Sequence, residues 1–296
     1  MEELVSVRGV GFSYGGPFRL EDVSFAVGKG QVLVLLGPNG CGKTTLLKCI
    51  NALLSPSQGE IDILGKNIGL LSRAELARLI GFVPQTHSPP FPYTVLDVVL
   101  MGRASHMTIF QQPSCSDYSV SEGALDLMGI LQMKDRIYTQ ISGGERQLVL
   151  IARAIAQEPK VLLLDEPTAH LDFKNQQVVL RMVKRIAREK GLGVVMSLHD
   201  PNHALSFSDK VVLIGNGRVS AAGTPLEVVT PDNIRDVYGI ETKILSHESG
   251  NILTSLHVVQ GADEIEVIFA DGARSRALIA ASQPEKDIAV LRALEA

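Results

Sequence analysis

The chain has 296 residues, which is enough to bury a substantial core in one large domain or in a main domain with an appendage. Its 28 lysines and arginines against 32 aspartates and glutamates give a net charge of −4. Because nucleic-acid-binding proteins carry a basic surface, this balance argues against that class. The sequence has no apolar run of about 18 residues or more, so the chain is not expected to span a bilayer by itself.

Cysteine usage and the first residues indicate the compartment. Cys41, Cys49 and Cys115 form no CxxC pair and no even framework, which is typical of a reducing environment. Glu2 and Glu3 stand where a secretory signal would carry positive charge. We therefore expect an intracellular chain without a leader.

The first elements predict the opening of a parallel α/β core. Two β-rich runs, at 5–14 and 20–30, come first. Residues 32–36 form a fully apolar strand that ends in glycine, and the run 44–54 has a helical pattern. A strand, a glycine loop and a helix in this order are typical of α/β proteins.

A helical insertion interrupts this core. Strands are predicted at 59–65 and 79–85, and from about 86 to 140 the pattern changes to helices with polar and proline breaks. After Ile141 the α/β pattern returns. Its elements are a helix over 148–157, strand 161–165, helix 176–191, strand 193–200, a hairpin around Gly215–Gly217 and a helix capped by Thr224.

The loop GPNGCGKTT carries the pattern of a phosphate-binding P-loop, Gly37-x-x-x-x-Gly42-Lys43-Thr44. Glycines let the backbone approach phosphate oxygens, and the helix that follows presents its N-terminal amides. Lys43 is expected to reach the β- and γ-phosphates, and the Thr44 hydroxyl to bind Mg²⁺. A chance glycine turn is the alternative, which the flanking strand and helix disfavour. The predicted ATP contacts are Gly37, Pro38, Asn39, Gly40, Cys41, Gly42, Lys43, Thr44 and Thr45.

Two carboxylates end the strand VLLLD at 161–165. Asp165 is predicted to hold Mg²⁺ directly or through water, because that cation prefers oxygen ligands and keeps several waters. Glu166 is predicted to orient and deprotonate the water that attacks the γ-phosphate. A pair of ordinary surface carboxylates is the alternative, and the P-loop in the same chain argues against it.

Three further side chains are candidates for the same site. Gln85 ends the strand FVPQ, where it could bind Mg²⁺ or the attacking water. His199 follows the strand GVVMSL, so we expect it at the same carboxyl edge as Asp165 and Glu166, with a catalytic role. Tyr14 in FSYGG is a candidate platform for the adenine ring, and an exposed turn tyrosine is the alternative.

These motifs occur together in a known family. GPNGCGKTT, Gln85, ISGGERQ at 141–147, VLLLDEP, AHLD at 169–172 and SLHD occur in the order and approximate spacing of ATP-binding-cassette (ABC) ATPases. Residues 3–245 resemble that family. The resemblance implies an α/β P-loop NTPase cassette over 1–245, with an antiparallel β subdomain and a helical subdomain.

The resemblance also assigns a role to ISGGERQ. It is similar to the signature loop of ABC cassettes, which normally begins with leucine and here begins with Ile141. In that family two cassettes pair head to tail, and each signature loop closes over ATP held by the P-loop of the other. Ser142, Gly143 and Gly144 would then contact the partner's γ-phosphate, with Asp172 at the same interface. The implied activity is ATP hydrolysis by a homodimer with ATP and Mg²⁺ as cofactors.

Within the family, residues 142–176 and MGR at 101–103 resemble most the cassettes of iron-chelate, haem and vitamin B12 importers. This implies uptake of an iron-siderophore, haem or cobalamin-type chelate. It also implies a peripheral place at the cytoplasmic membrane face, membrane permease subunits and an extracytoplasmic substrate-binding protein as partners, and no nucleic acid. A molybdate or other oxyanion importer is the alternative. A soluble ABC ATPase acting on DNA or ribosomes is disfavoured, because the sequence has no long coiled-coil insertion or second cassette.

Residues 246–296 form a separate β-rich tail, and Asp271-Gly272 within it is a hairpin signal. The tail resembles half of an HtrA-type serine protease barrel, with His257 and Asp287 at the positions of the catalytic histidine and aspartate. The serine of that family follows the aspartate, and only nine residues follow Asp287 here, so no proteolysis is expected. An ordinary β appendage of the cassette is the alternative. The predicted strands are 252–259, 264–272, 276–281 and 288–294.

Overall fold

A computed structural model of the chain describes residues 2–16, 18–85, 91–108, 111–239, 251–255, 260–262, 265–268, 274–283 and 288–294. The chain divides into two units, Met1–Ile240 and Glu241–Ala296.

Apolar runs form the strands of the first unit, and nearly all of its helices begin at a capping residue. The strands are β1 Glu3–Ser13, β2 Arg19–Gly28, β3 Val32–Leu36, β4 Gln58–Ile63, β5 Lys66–Asn67, β6 Ile80–Val83, β7 Val161–Leu164, β8 Gly193–Leu198, β9 Lys210–Gly215 and β10 Arg218–Gly223. The α-helices are α1 Lys43–Ile50, α2 Arg73–Leu79, α3 Val95–Leu100, α4 Cys115–Leu127, α5 Gly143–Ala156, α6 Phe173–Lys190, α7 Pro201–Phe207, α8 Pro225–Val228 and α9 Pro231–Tyr238. Short 3₁₀ helices lie at Ile68–Leu70, Met101–His106, Leu131–Met133 and Tyr138–Gln140.

These strands form one mixed sheet in the order β5-β4-β1-β2-β10-β9-β3-β8-β7-β6. The strands from β9 to β6 are parallel, and the β5-β4-β1-β2 part is antiparallel. Every residue of β3, β7 and β8 is buried, as expected for parallel strands covered on both faces. The predictions of an α/β core and of an antiparallel β part are confirmed.

Strand register brings the carboxyl ends of four strands to one edge. Leu36 of β3 pairs with Leu198 of β8, and the neighbouring β7 and β6 run in the same direction. The P-loop, His199, Asp165 and Gln85 each follow one of these four strands. In open α/β sheets, ligands bind at this edge.

A buried ionic cluster holds the helical insertion against α5. Arg103 is only 6% exposed, and its guanidinium donates to Asp117 Oδ1 at 3.0 Å, to Glu158 Oε2 at 2.7 Å and to the Ala156 carbonyl at 2.7 Å. The hydroxyl and amide of Ser114 also donate to Asp117, and together with Arg103 they lower the pKa of Asp117 to about 2. A buried charge is tolerated only when it is paired in this way, so the cluster fixes the insertion to the end of α5.

The described residues of the second unit include four antiparallel strands. They are β11 Asn251–Ser255, β12 Ile265–Ile268, β13 Arg274–Gln283 and β14 Ile288–Ala293, and they pair in the order β11-β14-β13-β12. Strand character is thereby confirmed for the described part of each predicted run. His257, Asp287 and the Asp271-Gly272 turn lie outside the described residues, so the protease resemblance stays a prediction.

In the part of the chain that the structure describes, no helix combines the length and the apolar character needed to cross a membrane.

Candidate nucleotide-binding site

The P-loop joins β3 to α1, and its backbone requires glycine. Gly37 has φ +156°, and a Cβ there would lie 2.3 Å from the Ile214 carbonyl oxygen. Gly42 has φ +111°, and a Cβ there would lie 2.5 Å from the Leu20 side chain. Gly42 also caps α1 without any side-chain hydrogen bond, so no side chain competes for the first amides of the helix. Free amides at a helix N-terminus are suited to bind an anion.

Lys43 places a buried positive charge inside this loop. The residue is only 4% exposed. Its Nζ donates to the Gly37 carbonyl at 2.7 Å and to the Pro38 carbonyl at 3.0 Å. Both acceptors are neutral, so they hold the ammonium without cancelling its charge. The site therefore favours an anionic ligand.

A cleft of about 310 Å³ opens beside the loop. It is lined by Phe18, Arg19, Pro38, Asn39, Gly40, Cys41, Asn216 and Gly217. Asn39 and Gly40 are exposed at its mouth, whereas Cys41 is buried, and burial raises the pKa of its thiol. A thiol that keeps its proton is a poor nucleophile and a poor metal ligand.

Asp165 and Thr44 meet at the end of β7, as the sequence predicts. Asp165 is 3% exposed, and its Oδ1 accepts a hydrogen bond from the Thr44 hydroxyl at 2.9 Å. The same oxygen accepts a second hydrogen bond from the Ser197 hydroxyl at 2.8 Å. A hydroxyl and a carboxylate side by side are oxygen ligands of the kind that Mg²⁺ prefers.

Ser197 is a functional residue that the sequence analysis missed. It is fully buried in β8, and besides donating to Asp165 it accepts a hydrogen bond from the Glu166 amide at 2.8 Å. The available signal was one hydroxyl in the otherwise apolar strand GVVMSL. A single Ser197 side chain thus positions both carboxylate residues.

Glu166 adopts a left-handed backbone conformation, with φ +47°. Its Oε2 accepts a hydrogen bond from Gln85 Nε2 at 2.8 Å. The structure therefore brings Gln85 to the predicted base, 81 positions away in the chain. Assignment of Gln85 as a Mg²⁺ ligand remains a prediction.

Tyr14 and His199 are the outer members of the predicted set. Tyr14 is 60% exposed. Its hydroxyl lies 3.5 Å from the hydroxyl of Thr45, the residue that follows Thr44 in the P-loop. Its ring packs edge-on against Phe12 at 4.7 Å between centroids. His199 is exposed at the edge that β8 shares with β3 and β7. The adenine role of Tyr14 and the catalytic role of His199 remain predictions.

The signature residues Ser142, Gly143 and Gly144 form a second group at the start of α5. Ser142 and Glu145 cap each other: the Ser142 amide donates to Glu145 at 2.8 Å, and the Glu145 amide donates to the Ser142 hydroxyl at 3.3 Å. A Cβ on Gly144 would lie 2.9 Å from Asn175 Oδ1, so any larger residue there would displace the Asn175 side chain.

Asn175 ties the signature group to Asp172. Its amide and side chain donate to the two oxygens of Asp172 at 2.8 and 2.9 Å. Within the described ranges, no side-chain hydrogen bond links Ser142, Asn175 or Asp172 to the P-loop residues. The predicted site residues therefore fall into two groups on one chain.

The site combines a P-loop with a buried lysine, a carboxylate beside the P-loop threonine and a second carboxylate next to the first. This combination defines the class of protein as a P-loop nucleoside triphosphatase. Residues 20–169, about half of the chain, match the family model described as ABC transporter. The chain belongs to the ABC transporter family and is an ABC-type ATPase that binds ATP. The predicted family and activity are confirmed.

Two curated relatives illustrate the similarity. The molybdate import ATP-binding protein MolC of Haemophilus influenzae is 39% identical over 80% of this chain and 89% of its own length. The iron(3+)-hydroxamate import ATP-binding protein FhuC of Bacillus subtilis is 36% identical over 83% of this chain and 92% of its own length.

Among solved structures, a chain described as part of a metal-chelate type ABC transporter in an inward-facing conformation is 33% identical, with a TM-score of 0.74. The match covers 93% of this chain and 96% of that one. This share is larger than the first unit, so the match extends into the second unit.

Replacing Ser197 with alanine removes the hydroxyl that Asp165 and Glu166 share. We expect kcat for ATP hydrolysis to fall about tenfold, with ATP affinity nearly unchanged, because a hydrogen bond to a charged group is lost at the reacting edge. Ser208→Ala is the matched control, since among the described residues that buried hydroxyl donates only to the Ala204 carbonyl. Equal kcat values for the two variants would contradict the role of Ser197.

Proposed function

We propose that the chain is the ATP-hydrolysing subunit of an importer, and that two copies pair head to tail at the cytoplasmic face of the cell membrane. They would drive uptake of a metal chelate of the iron-siderophore, haem or cobalamin type. The observation that carries the proposal is the division of the site residues into a P-loop group and a signature group.

The P-loop group supplies the hydrogen-bond donors and the base on one side of a γ-phosphate. Lys43 can exchange the Gly37 and Pro38 carbonyls for phosphate oxygens, and the α1 amides add further donors. In this proposal Glu166, which accepts a hydrogen bond from Gln85, takes a proton from the attacking water. His199, which follows β8 at the same edge, stabilises the γ-phosphate.

Mg²⁺ fits the pair formed by Thr44 and Asp165. The hydroxyl and the carboxylate oxygen are 2.9 Å apart, and such hard oxygen atoms suit this cation. Gln85 is a third candidate ligand through its side-chain oxygen. When bound, the ion would neutralise charge between the β- and γ-phosphates.

The signature group completes the site from a second copy. Ser142, Gly143 and Gly144 present the N-terminus of α5, whose amides favour an anion. Because phosphoryl transfer depends on donors around the γ-phosphate, a set that arrives only on pairing couples ATP binding to dimer closure. Asp172, tied to this group through Asn175, would lie at the same interface.

Two observations support the metal-chelate class. One relative is named as an iron(3+)-hydroxamate import protein, and the similar solved structure is described as a metal-chelate type transporter. The molybdate relative supports a second candidate, import of molybdate or another oxyanion. The partners implied in either case are membrane permease subunits and an extracytoplasmic binding protein.

For the tail, we propose a non-catalytic β appendage of the cassette. The match that covers 93% of this chain with a metal-chelate type transporter chain and the separate four-stranded sheet support this assignment. A relationship to half of a serine protease barrel is compatible with the same role.

The ATPase assignment is tested by two substitutions with opposite signatures. Glu166→Gln should retain ATP binding, lower turnover by about 100-fold or more and accumulate an ATP-bound dimer, because the base is lost while the donors remain. Lys43→Ala should instead weaken ATP binding by about tenfold or more, because a charged donor is removed. Equilibrium nucleotide binding, phosphate release and size-exclusion chromatography measure these effects. Unchanged hydrolysis by Glu166→Gln would reject it as the base.

The substrate class is tested in membranes. The permease that co-purifies with the chain should support uptake of a ferric hydroxamate, haem or cobalamin in the presence of ATP, and not of molybdate. The Glu166→Gln complex is the control for uptake that does not require hydrolysis. Uptake of molybdate alone would replace the metal-chelate proposal with its alternative.

Removal of residues 249–296 tests the appendage. We expect kcat to change by less than about twofold, because all described P-loop and signature residues lie in the first unit. Steady-state ATPase rates of full-length and shortened chains provide the measurement. A large loss that is not explained by a lower melting temperature would make the tail part of the working fold.

A further inference from the structure

Tyr238 links the last helix of the first unit to two loops of the nucleotide site. Its hydroxyl donates to the main-chain carbonyl of His199 at 3.3 Å. The backbone amide of Gly37 acts to lower the pKa of this hydroxyl, so Gly37 lies nearby. Tyr238 therefore bonds to the residue that follows β8 and lies beside the start of the P-loop.

Sheet register explains why one side chain can reach both loops. Leu36 and Leu198 are the last paired residues of β3 and β8, and Gly37 and His199 come directly after them. Beyond this pair the two chains diverge, one into the P-loop and the other toward α7. A phenol is both a donor and an acceptor, so it can serve the His199 carbonyl and the Gly37 amide together.

The packing of α9 fixes the position of this phenol. Ile234 is 3% exposed in the core, and a Cβ on Gly215 would lie 3.2 Å from Val237. The Thr230 hydroxyl caps the helix by accepting from the Asn233 amide at 3.2 Å. Tyr238 is half-buried, and burial raises its pKa far above the usual value, so the hydroxyl keeps the proton that it donates.

The segment on either side of His199 has few degrees of freedom left. Leu198 is buried at the end of β8, and Asp200 caps α7 by accepting from the Asn202 amide at 2.8 Å. The His199 peptide connects these two fixed residues. A hydrogen bond to its carbonyl therefore sets the orientation in which the exposed imidazole leaves the backbone.

We propose that Tyr238 is a positioning residue for ATP hydrolysis, which acts by holding the His199 peptide so that the imidazole faces the γ-phosphate. This inference rests on the proposed role of His199. It adds a residue of α9, outside every motif of the site, to the groups that determine turnover.

The test compares Tyr238→Phe with wild type in the full-length chain. The ring is retained and only the hydroxyl is lost, so we expect kcat to fall about 3- to 10-fold while KM for ATP and ATP affinity change less than about twofold. Tyr118→Phe, at an exposed site on α4, is the matched control and should behave as wild type. A wild-type kcat for Tyr238→Phe overturns the proposal, and so does a rise in KM with kcat unchanged, which would indicate action through the P-loop.

A double-mutant cycle tests the route through His199. His199→Ala should lower kcat, and adding Tyr238→Phe should lower it no further, because the side chain that Tyr238 positions is already gone. Independent, multiplicative losses overturn the proposal. If His199→Ala keeps the wild-type rate, the assumed role of His199 fails and the proposal with it. Chelate uptake does not enter this test, so failure of the substrate assignment leaves its result intact.

Discussion

The two hydrogen bonds on one oxygen of Asp165 are the interaction on which the rest of the site depends. A buried carboxylate is costly unless it is well paired, and here the Thr44 and Ser197 hydroxyls both donate to Oδ1. Thr44 comes from the helix after β3 and Ser197 from β8, and β3, β8 and β7 are neighbours in the sheet. The parallel strand order is therefore what assembles the P-loop and the carboxylate into one centre.

The segment after β7 has a strained backbone, and Ser197 of the same centre stabilises it. Glu166 and His170 are non-glycine residues with φ of +47° and +61°, which costs about 1–3 kcal/mol each. The Glu166 amide is fixed by Ser197, and its carbonyl accepts from the Ala169 amide at 3.0 Å. Glu166 and the turn that leads to Asp172 thus form one hydrogen-bonded piece. Under the proposed pairing, this piece connects the chemistry of one chain to the interface with the other.

Local sequence patterns predicted the elements and the motifs. They did not predict contacts between residues that are distant in the chain. Apolar runs identified β3, β7 and β8, and the glycine spacing identified the P-loop. Tyr238 belongs to no motif, and Ser197 received no role within SLHD, because their hydroxyls gain a role only through strand register and the packing of α9. Contact between Gln85 and Glu166 likewise depends on β6 lying beside β7. The close approach of Gly144 to Asn175 on α6 likewise became clear only from the fold.

The helical insertion can transmit movement to the signature loop through α5. The helices α3 and α4 pack on α5, and Arg103 bonds to the Ala156 carbonyl and to Glu158 at its far end. A 14-residue helix is about 21 Å long and moves as a rigid rod. Displacement of the insertion therefore carries Ser142 and Gly144 with it. If the permease subunits implied as partners contact this insertion, the signature donors reach the partner's ATP only when the permease holds the insertion in the right place.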